Sequence, residues 1–285
     1  MNILIAIVHY WNPDGGGRHQ SLRSDPQPRI DALQHQLMNI LRIGSNQSVL
    51  HLADRAVYRA NDSYRNNVDI KIITDGTHHV LDYLDPSFMH AFEEIPTTPS
   101  NPKFLGFEVH KVLADHLNSN YDLYCYLEDD LLIHDPTFFS KIAWFSGFMG
   151  YHSILLPQRF EFSPLPHAVD RFYIDGPLPE DELRKLVSSS PVRLVQSLGF
   201  NIPFAPPDNP HAGCFFLSHQ QLSYWVSQDY WLDHDVSFIS PLESAATLGI
   251  AKCFSIFKPC FSHASWLEIQ HHGTVFHELI GDSFA

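Results

Sequence analysis

Three consecutive carboxylates, Glu128, Asp129 and Asp130, interrupt the apolar run YDLYCYLEDDLLIHD at residues 121–135. A hydrophobic strand that delivers acids to its C-terminal end is how α/β sheets present metal and ligand sites, because ligands sit outside the carboxyl ends of the strands. Adjacent carboxylates repel one another, and burial raises the cost of ionising each. A divalent cation, or strong hydrogen-bond donors, would remove that cost. The alternative is a strand running into an acidic, solvated turn, but such turns rarely carry large aliphatic residues on both sides.

The elements around this run set where the acids can lie. Asn2–His9 is an almost unbroken apolar strand. The loop after it, WNPDGGGRHQ, places Gly15, Gly16 and Gly17 where a ligand-binding loop would sit, although it matches neither GxGxxG nor the Walker A pattern. Arg18 and Arg23, in and after that loop, are either phosphate partners or solvated side chains. Arg29–Ile43 spaces its apolar residues as a helix, and Gly44 is a stop signal. Asp69–Thr74 is a strand ending in Asp75-Gly76, and Phe104–Asn118 is a second helix. Strand, helix, strand, helix, strand predicts a parallel sheet with the acidic strand inside it.

The second half is less regular. A short helix opens at Pro136, and Ser153–Arg159 (SILLPQR) is a strand. Leu165–Pro210 is Pro-rich, either an irregular insertion or a pair of outer strands, with a helix around Pro179–Val187. HAGCFFLSHQQLSYWV gives a strand and a helix. Ser240–Leu248 is a helix with Ser240 as N-cap, Pro241 in its first position and Glu243 three residues after the cap. Ala251–Phe257 is the last clear strand, and a tail follows with His263, His271 and His272.

Composition narrows the class. With 44% hydrophobic and 18% charged residues in a 285-residue chain, the sequence is that of a folded globular protein with a substantial core. A net charge of −14 argues against a nucleic-acid-binding surface. It also means that an anionic ligand needs a local device to hold it, such as a metal, a helix N-terminus or a few placed cations. Cys125, Cys214, Cys253 and Cys260 form no CxxC pair and no zinc spacing, which suits small buried hydrophobes in a reducing compartment. The opening MNILIAIVHYW is too short for a membrane span and lacks the features of a signal peptide. The expectation is a cytoplasmic protein with no transmembrane segment, folded as a single domain over 1–285.

Together these pieces resemble the GT-A glycosyltransferases, and most closely the inverting N-acetylglucosaminyltransferase family that begins complex N-glycans. That family has an apolar strand ending in EDDL, then a Pro and an aromatic pair; here the run is YLEDDLLIHDPTFF. The later pieces AGCFFLS, QQLSYWV, SPLESAA and FKPCFSHAS fall in the family's order over roughly Tyr121–His263. The resemblance implies a GT-A, Rossmann-like α/β fold with a mixed, mostly parallel sheet flanked by helices. Residues 1–131 would be the nucleotide-sugar-binding half and 132–285 the acceptor-binding half. It implies a metal-dependent transferase moving a hexosyl or N-acetylhexosaminyl group, with inversion, from a nucleotide-sugar donor (UDP-linked) to a hydroxyl of a glycan, lipid-linked or protein acceptor.

By position, Asp130 would be the ligand of Mn²⁺ or Mg²⁺, and Asp129 and Glu128 would meet the ribose and the donor sugar. Asp75 would contact the nucleotide base and His263 the diphosphate, with His271 and His272 as second choices. Glu243 would be the catalytic base, although the family has Asp there. Its place near a helix N-terminus favours negative charge. It could equally be the capping-box partner of Ser240.

Two other classes compete. One is a metal-dependent phosphoester hydrolase using the three acids and several of the nineteen histidines. The other is a non-catalytic nucleotide- or carbohydrate-binding protein. The close pairs His78-His79 and His271-His272 point their rings apart, and no HExxH occurs. Trp225, Trp231 and Trp266 are a sugar-stacking platform or, more commonly, core aromatics.

Overall fold

The computed structural model of the chain describes residues 1–16, 20–165, 169–187, 190–197 and 199–280. Arg18 and Gly17 lie outside these residues. In chain order the first elements are β1 (Asn2–Val8), α1 (Gln27–Ile43), β2 (Gln47–His51), β3 (Ala56–Ala60), β4 (Asn67–Thr74), β5 (Glu93–Pro96), α2 (Leu105–Asp115) and β6 (Leu123–Glu128). There follow β7 (Leu131–Leu132), α3 (Phe138–Met149), β8 (Ser153–Leu155), β9 (Gln158–Phe162), β10 (Arg171–Tyr173), α4 (Glu180–Leu186), β11 (Arg193–Ser197) and β12 (Phe200–Ala205). The last are β13 (Cys214–Ser218), α5 (His219–Val226), α6 (Pro241–Cys253), β14 (Ser255–Pro259), β15 (Glu268–His271) and α7 (Val275–Ile280).

The architecture is mixed α/β. Its central sheet has the order β13-β6-β1-β4-β5. β1, β4, β5 and β6 are parallel, and β13 joins antiparallel to β6. The β1 and β6 side chains are buried on both faces, which accounts for their unbroken apolar sequences. α1 follows β1 and contributes Ile30, Leu33, Leu37 and Ile40 to the core, and Pro in its first turn suits the helix start. α2 contributes Leu105, Val109, Val112 and Leu113. Full burial of such a side chain stabilises by roughly 1.5–3 kcal/mol. The chain builds β1, β4 and β5 to one side, then returns to place β6 on the other side of β1. The strand order therefore reverses between β1 and β6, where α/β sheets open a ligand crevice.

Two smaller four-stranded sheets, β10-β9-β15-β7 and β11-β12-β14-β8, complete the second half. Several segments differ from the sequence expectation. The run at 121–135 is two strands in two sheets. β6 ends at Glu128, and Leu131–Leu132 pairs antiparallel with Gln270–His271. The bend between them is held by the buried Gln36 amide, whose Nε2 donates to the carbonyls of Glu128 (2.7 Å) and Leu131 (2.9 Å). Ser153–Arg159 also divides, because Pro157 has no N–H to give a ladder; β8 and β9 enter different sheets.

The helix expected over Ser240–Leu248 continues to Cys253, and the last strand starts at Ser255 rather than Ala251. Buried Ile250 extends the helical face, and Gly249 lets the helix pack on Trp225, whose ring would lie 2.1 Å from a Cβ there. The Leu165–Pro210 region contains β10, α4 and the antiparallel pair β11–β12, in line with outer strands rather than an irregular insertion. The β2–β3 hairpin has no counterpart in the sequence expectation. Cys125 and Cys214 are buried, Cys253 and Cys260 are half-buried, and all four are free.

Candidate functional site

The three acids lie at the C-terminal end of β6; Glu128 and Asp129 are buried and Asp130 is half-buried. The structure compensates them unequally. Arg29, in the first turn of α1, places one guanidinium across two of them: Nη2 lies 3.0 Å from Asp129 Oδ1, and Nη1 donates to Asp130 Oδ2 at 3.0 Å. On its other side Asp129 Oδ2 lies 2.5 Å from His9 Nδ1. The Val80 N–H donates to His9 Nε2 at 3.0 Å, so Nδ1 is the nitrogen that carries the proton and donates to Asp129. His9 directly follows β1, whose Val8 is in register with Glu128. The His9–Asp129 bond therefore spans the point where the strand order reverses.

Asp130 is further held by backbone and by a histidine. The His272 N–H donates to its carbonyl at 2.8 Å, and His271 Nε2 stands 3.6 Å from Oδ2. Burial pushes the Asp130 pKa upward, but His271, Arg29 and Arg159 outweigh it, and the carboxyl lies below its ordinary value. Asp130 Oδ1 is nevertheless buried with no partner.

Glu128 is different. Burial raises its pKa to about 8, with Arg159 opposing and Asp130, Glu243 and Asp129 adding to the rise. At neutral pH it is largely the protonated acid. Its Oε1 is also buried without a partner, as is the Tyr126 hydroxyl two residues earlier on β6. Gly213, at φ +62°, lets the chain pass directly over it: a Cβ there would lie 2.7 Å from Glu128 Oε2. The Gly213 carbonyl accepts the Glu128 N–H at 3.0 Å.

Behind Glu128 lies a second charged group. Arg159 on β9 donates Nε and Nη2 to Asp175 Oδ1 at 3.0 and 2.6 Å. Lys258 Nζ on β14 donates to Asp175 Oδ2 at 3.1 Å and to the His211 carbonyl at 2.6 Å. All four residues are buried. Burial alone would raise the Asp175 pKa, but Arg159 and Lys258 hold it well below the usual carboxylate range. Glu161, wholly buried on β9, accepts from the N–H groups of Phe276 (3.1 Å) and His277 (2.9 Å), and its Oε1 lies 3.0 Å from His271 Nδ1. It thereby ties α7 to the histidine that faces Asp130.

Of the sequence candidates, Glu128, Asp129, Asp130 and His271 come together directly. Glu243, in the first turn of α6, is near enough to raise the pKa values of Glu128 and Tyr126. Its carboxylate accepts from the Ser240 hydroxyl, while Ser240 makes no side-chain bond to the helix backbone; the reciprocal capping box is absent. Asp75, at the end of β4, accepts from the N–H groups of Thr77 (2.9 Å) and His78 (2.7 Å) and pairs with the His78 ring at 2.7 Å. Burial pushes its pKa up, but these bonds prevail and lower it.

His263 keeps to local bonds, with Ser262 at 3.0 Å and the Cys260 carbonyl at 2.7 Å, and none joins it to the carboxylates. His271 stands against Asp130 instead. Trp225 is a core residue, edge-on to Trp231, and Trp266 lies under the Lys141 ammonium.

Sequence reasoning misses Arg29, His9, Arg159, Lys258 and Glu161 as site residues. Arg159 and Lys258 do carry a signal, as lone cations inside the apolar runs SILLPQRF and FSIFKPC. Among the described residues no three His, Cys, Asp or Glu side chains converge as a self-sufficient metal cage. None of their helices is long and apolar enough to cross a membrane. Compared with known protein families and with curated proteins, the sequence matches none.

Proposed function

We propose that this chain is a metal-dependent glycosyltransferase of the GT-A type, moving a sugar from a nucleotide-sugar donor, UDP-linked, to an acceptor hydroxyl with inversion. The observation that carries the reading is the gathering of His9, Asp75 and the Glu128–Asp130 acids at the carboxyl ends of β1, β4 and β6, beside the strand-order reversal. The side chains fit a hard divalent cation. Asp130 Oδ1 is a buried oxygen without a partner, and such an atom calls for an occupant. Asp130 would hold Mn²⁺ or Mg²⁺ through its free Oδ1, an oxygen ligand of the kind hard divalent cations take. The ion, when bound, offsets the negative charge that develops on the departing diphosphate.

The chain's own residues do the rest. Arg29 fixes the Asp129 and Asp130 carboxylates through one planar group, and His9 holds the other oxygen of Asp129, so neither side chain has to be ordered by the ligand. Asp75, already satisfied by Thr77 and His78, presents a preset carboxylate to the nucleotide base. Glu128 hydrogen-bonds a donor-sugar hydroxyl. Glu243, whose carboxylate accepts from the Ser240 hydroxyl, removes the acceptor proton in a single displacement. The acceptor is a glycan, a lipid-linked sugar or a protein.

Titration calorimetry with a panel of nucleotide sugars, with and without Mn²⁺, tests this. One donor class should bind tightly only with the metal. Absence of binding by every donor would remove the reading.

A further inference from the structure

Two buried cations, Arg159 and Lys258, share the single carboxylate of Asp175. The Ile174 N–H donates to the Arg159 carbonyl at 3.1 Å, which sets Asp175 beside the guanidinium. The contact uses one edge of that planar group, Nε and Nη2, both donating to Asp175 Oδ1. Nη1, the nitrogen furthest from this edge, has no hydrogen-bond partner among the described residues, and the side chain keeps 6% of its surface open. Lys258 is taken up by Asp175 and the His211 carbonyl.

The neighbouring acids do not supply the missing partner. Glu161, two residues further along β9, accepts from the N–H groups of Phe276 and His277 and lies against His271. Asp130 is bonded to Arg29. Glu128 is within electrostatic reach of Arg159, yet its Oε1 is buried with no partner. One positive charge of the Arg159–Lys258–Asp175 group is therefore matched by no hydrogen-bonded carboxylate among the described residues, and a buried charge without a counterion is costly. Stability of the fold does not account for the group, because apolar residues of similar volume commonly replace buried ion pairs without loss. A guanidinium locked along one edge, with N–H donors free on the other side, is preorganised to bind an oxyanion.

We propose that Arg159 is an oxyanion-binding residue, its Nη1 donating to a phosphate or carboxylate oxygen of a ligand seated beside the Glu128–Asp130 acids. Its place in the fold supports this. β9 pairs with β15, and β15 carries the His271 that faces Asp130. The charge of Arg159 acts on both Glu128 and Asp130. Two kinds of ligand carry such oxygens, a nucleoside diphosphate and an acidic sugar. The inference holds whether or not a sugar is transferred, since it concerns the anion alone.

Titration calorimetry of the full chain with inorganic pyrophosphate and with glucuronate, each in the absence of divalent metal, tests it. At least one of the two should bind the wild type: pyrophosphate if the oxygens come from a diphosphate, glucuronate if they come from an acidic sugar. R159K keeps a cation against Asp175 but has no second planar nitrogen to offer, so it should bind that anion about tenfold or more weakly. Circular dichroism shows whether R159K is folded. Where it is not, ¹⁵N spectra of the wild type give the answer, because the guanidinium signals of Arg159 should shift as the anion saturates. A wild type that binds neither anion, a folded R159K that binds as well as wild type, or Arg159 signals that stay still at saturation would overturn the inference. Failure of the transferase reading shows separately, as anion binding that persists while no nucleotide sugar binds with Mn²⁺.

Discussion

His9 and Asp129, 2.5 Å apart, join the carboxyl ends of two adjacent parallel strands where the strand order of the central sheet reverses. Because the Val80 N–H occupies the far nitrogen of the imidazole, this bond has a fixed direction. With Arg29 on the opposite oxygen, both oxygens of Asp129 are engaged within the protein, whereas Asp130 keeps one open oxygen. The three acids are therefore unequal: one braced, one half-open and one neutral.

Removing the brace should be costly. R29M leaves the buried Asp129 and the half-buried Asp130 without their shared cation, and loss of one partner from a buried ion pair typically costs about 3–5 kcal/mol. R29K should recover only part of this, since an ammonium cannot bridge both acids as the planar guanidinium does. Urea unfolding of the two variants beside wild type measures the difference.

Glu128 predicts a distinctive pH dependence. Its folded pKa of about 8 lies above its ordinary 4.5, so across that interval the folded chain retains a proton that the unfolded chain has released. This contribution is fully present below about pH 4.5 and is lost as the pH rises through 8. E128Q has no proton to lose. Its stability relative to wild type should therefore increase steadily from the acid to the alkaline side of that window, as followed by thermal melts at matched ionic strength.

The acidic motif and its place at a strand end are legible in the sequence, because carboxylates breaking a run of buried aliphatics mark the point where a strand leaves the core. α1, α2, β4 and β13 are legible from periodicity. The compensation is not. Arg29 lies about a hundred residues from the acids it neutralises, and His9 further still, and no local pattern encodes such a pairing. The hairpin at β2–β3 escapes because its apolar residues face water, so they show no contrast between a buried and an exposed face. The strand break at Pro157 is written in the sequence, but two short strands in different sheets look like one long one until the sheets are known. The fold brings His271 rather than His263 to Asp130 because β15, pairing with β7, carries it there, and strand pairing is a long-range property.

The second charged group gives an asymmetric prediction. Asp175 serves two buried cations, Arg159 and Lys258. D175A strands both, whereas K258M leaves the Arg159–Asp175 pair intact. D175A should therefore lose roughly 3–5 kcal/mol and K258M distinctly less. Chemical denaturation of the two variants settles the order.

Gly213 is the third structural test. A Cβ there meets Glu128 Oε2 and must also adopt φ +62°. G213A should lose about 1–3 kcal/mol. It should also displace the Glu128 carboxyl, and so disturb the pH profile described above even where the fold survives.

The central claim is that Asp130 offers its free oxygen to a cation completed by a nucleoside diphosphate. Electron paramagnetic resonance of Mn²⁺, titrated into the protein with and without UDP, measures this directly. Wild type should bind one Mn²⁺ tightly only when UDP is present, D130A should lose that binding, and E243Q should keep it. Mn²⁺ binding that is indifferent to UDP, or undiminished in D130A, would contradict the account.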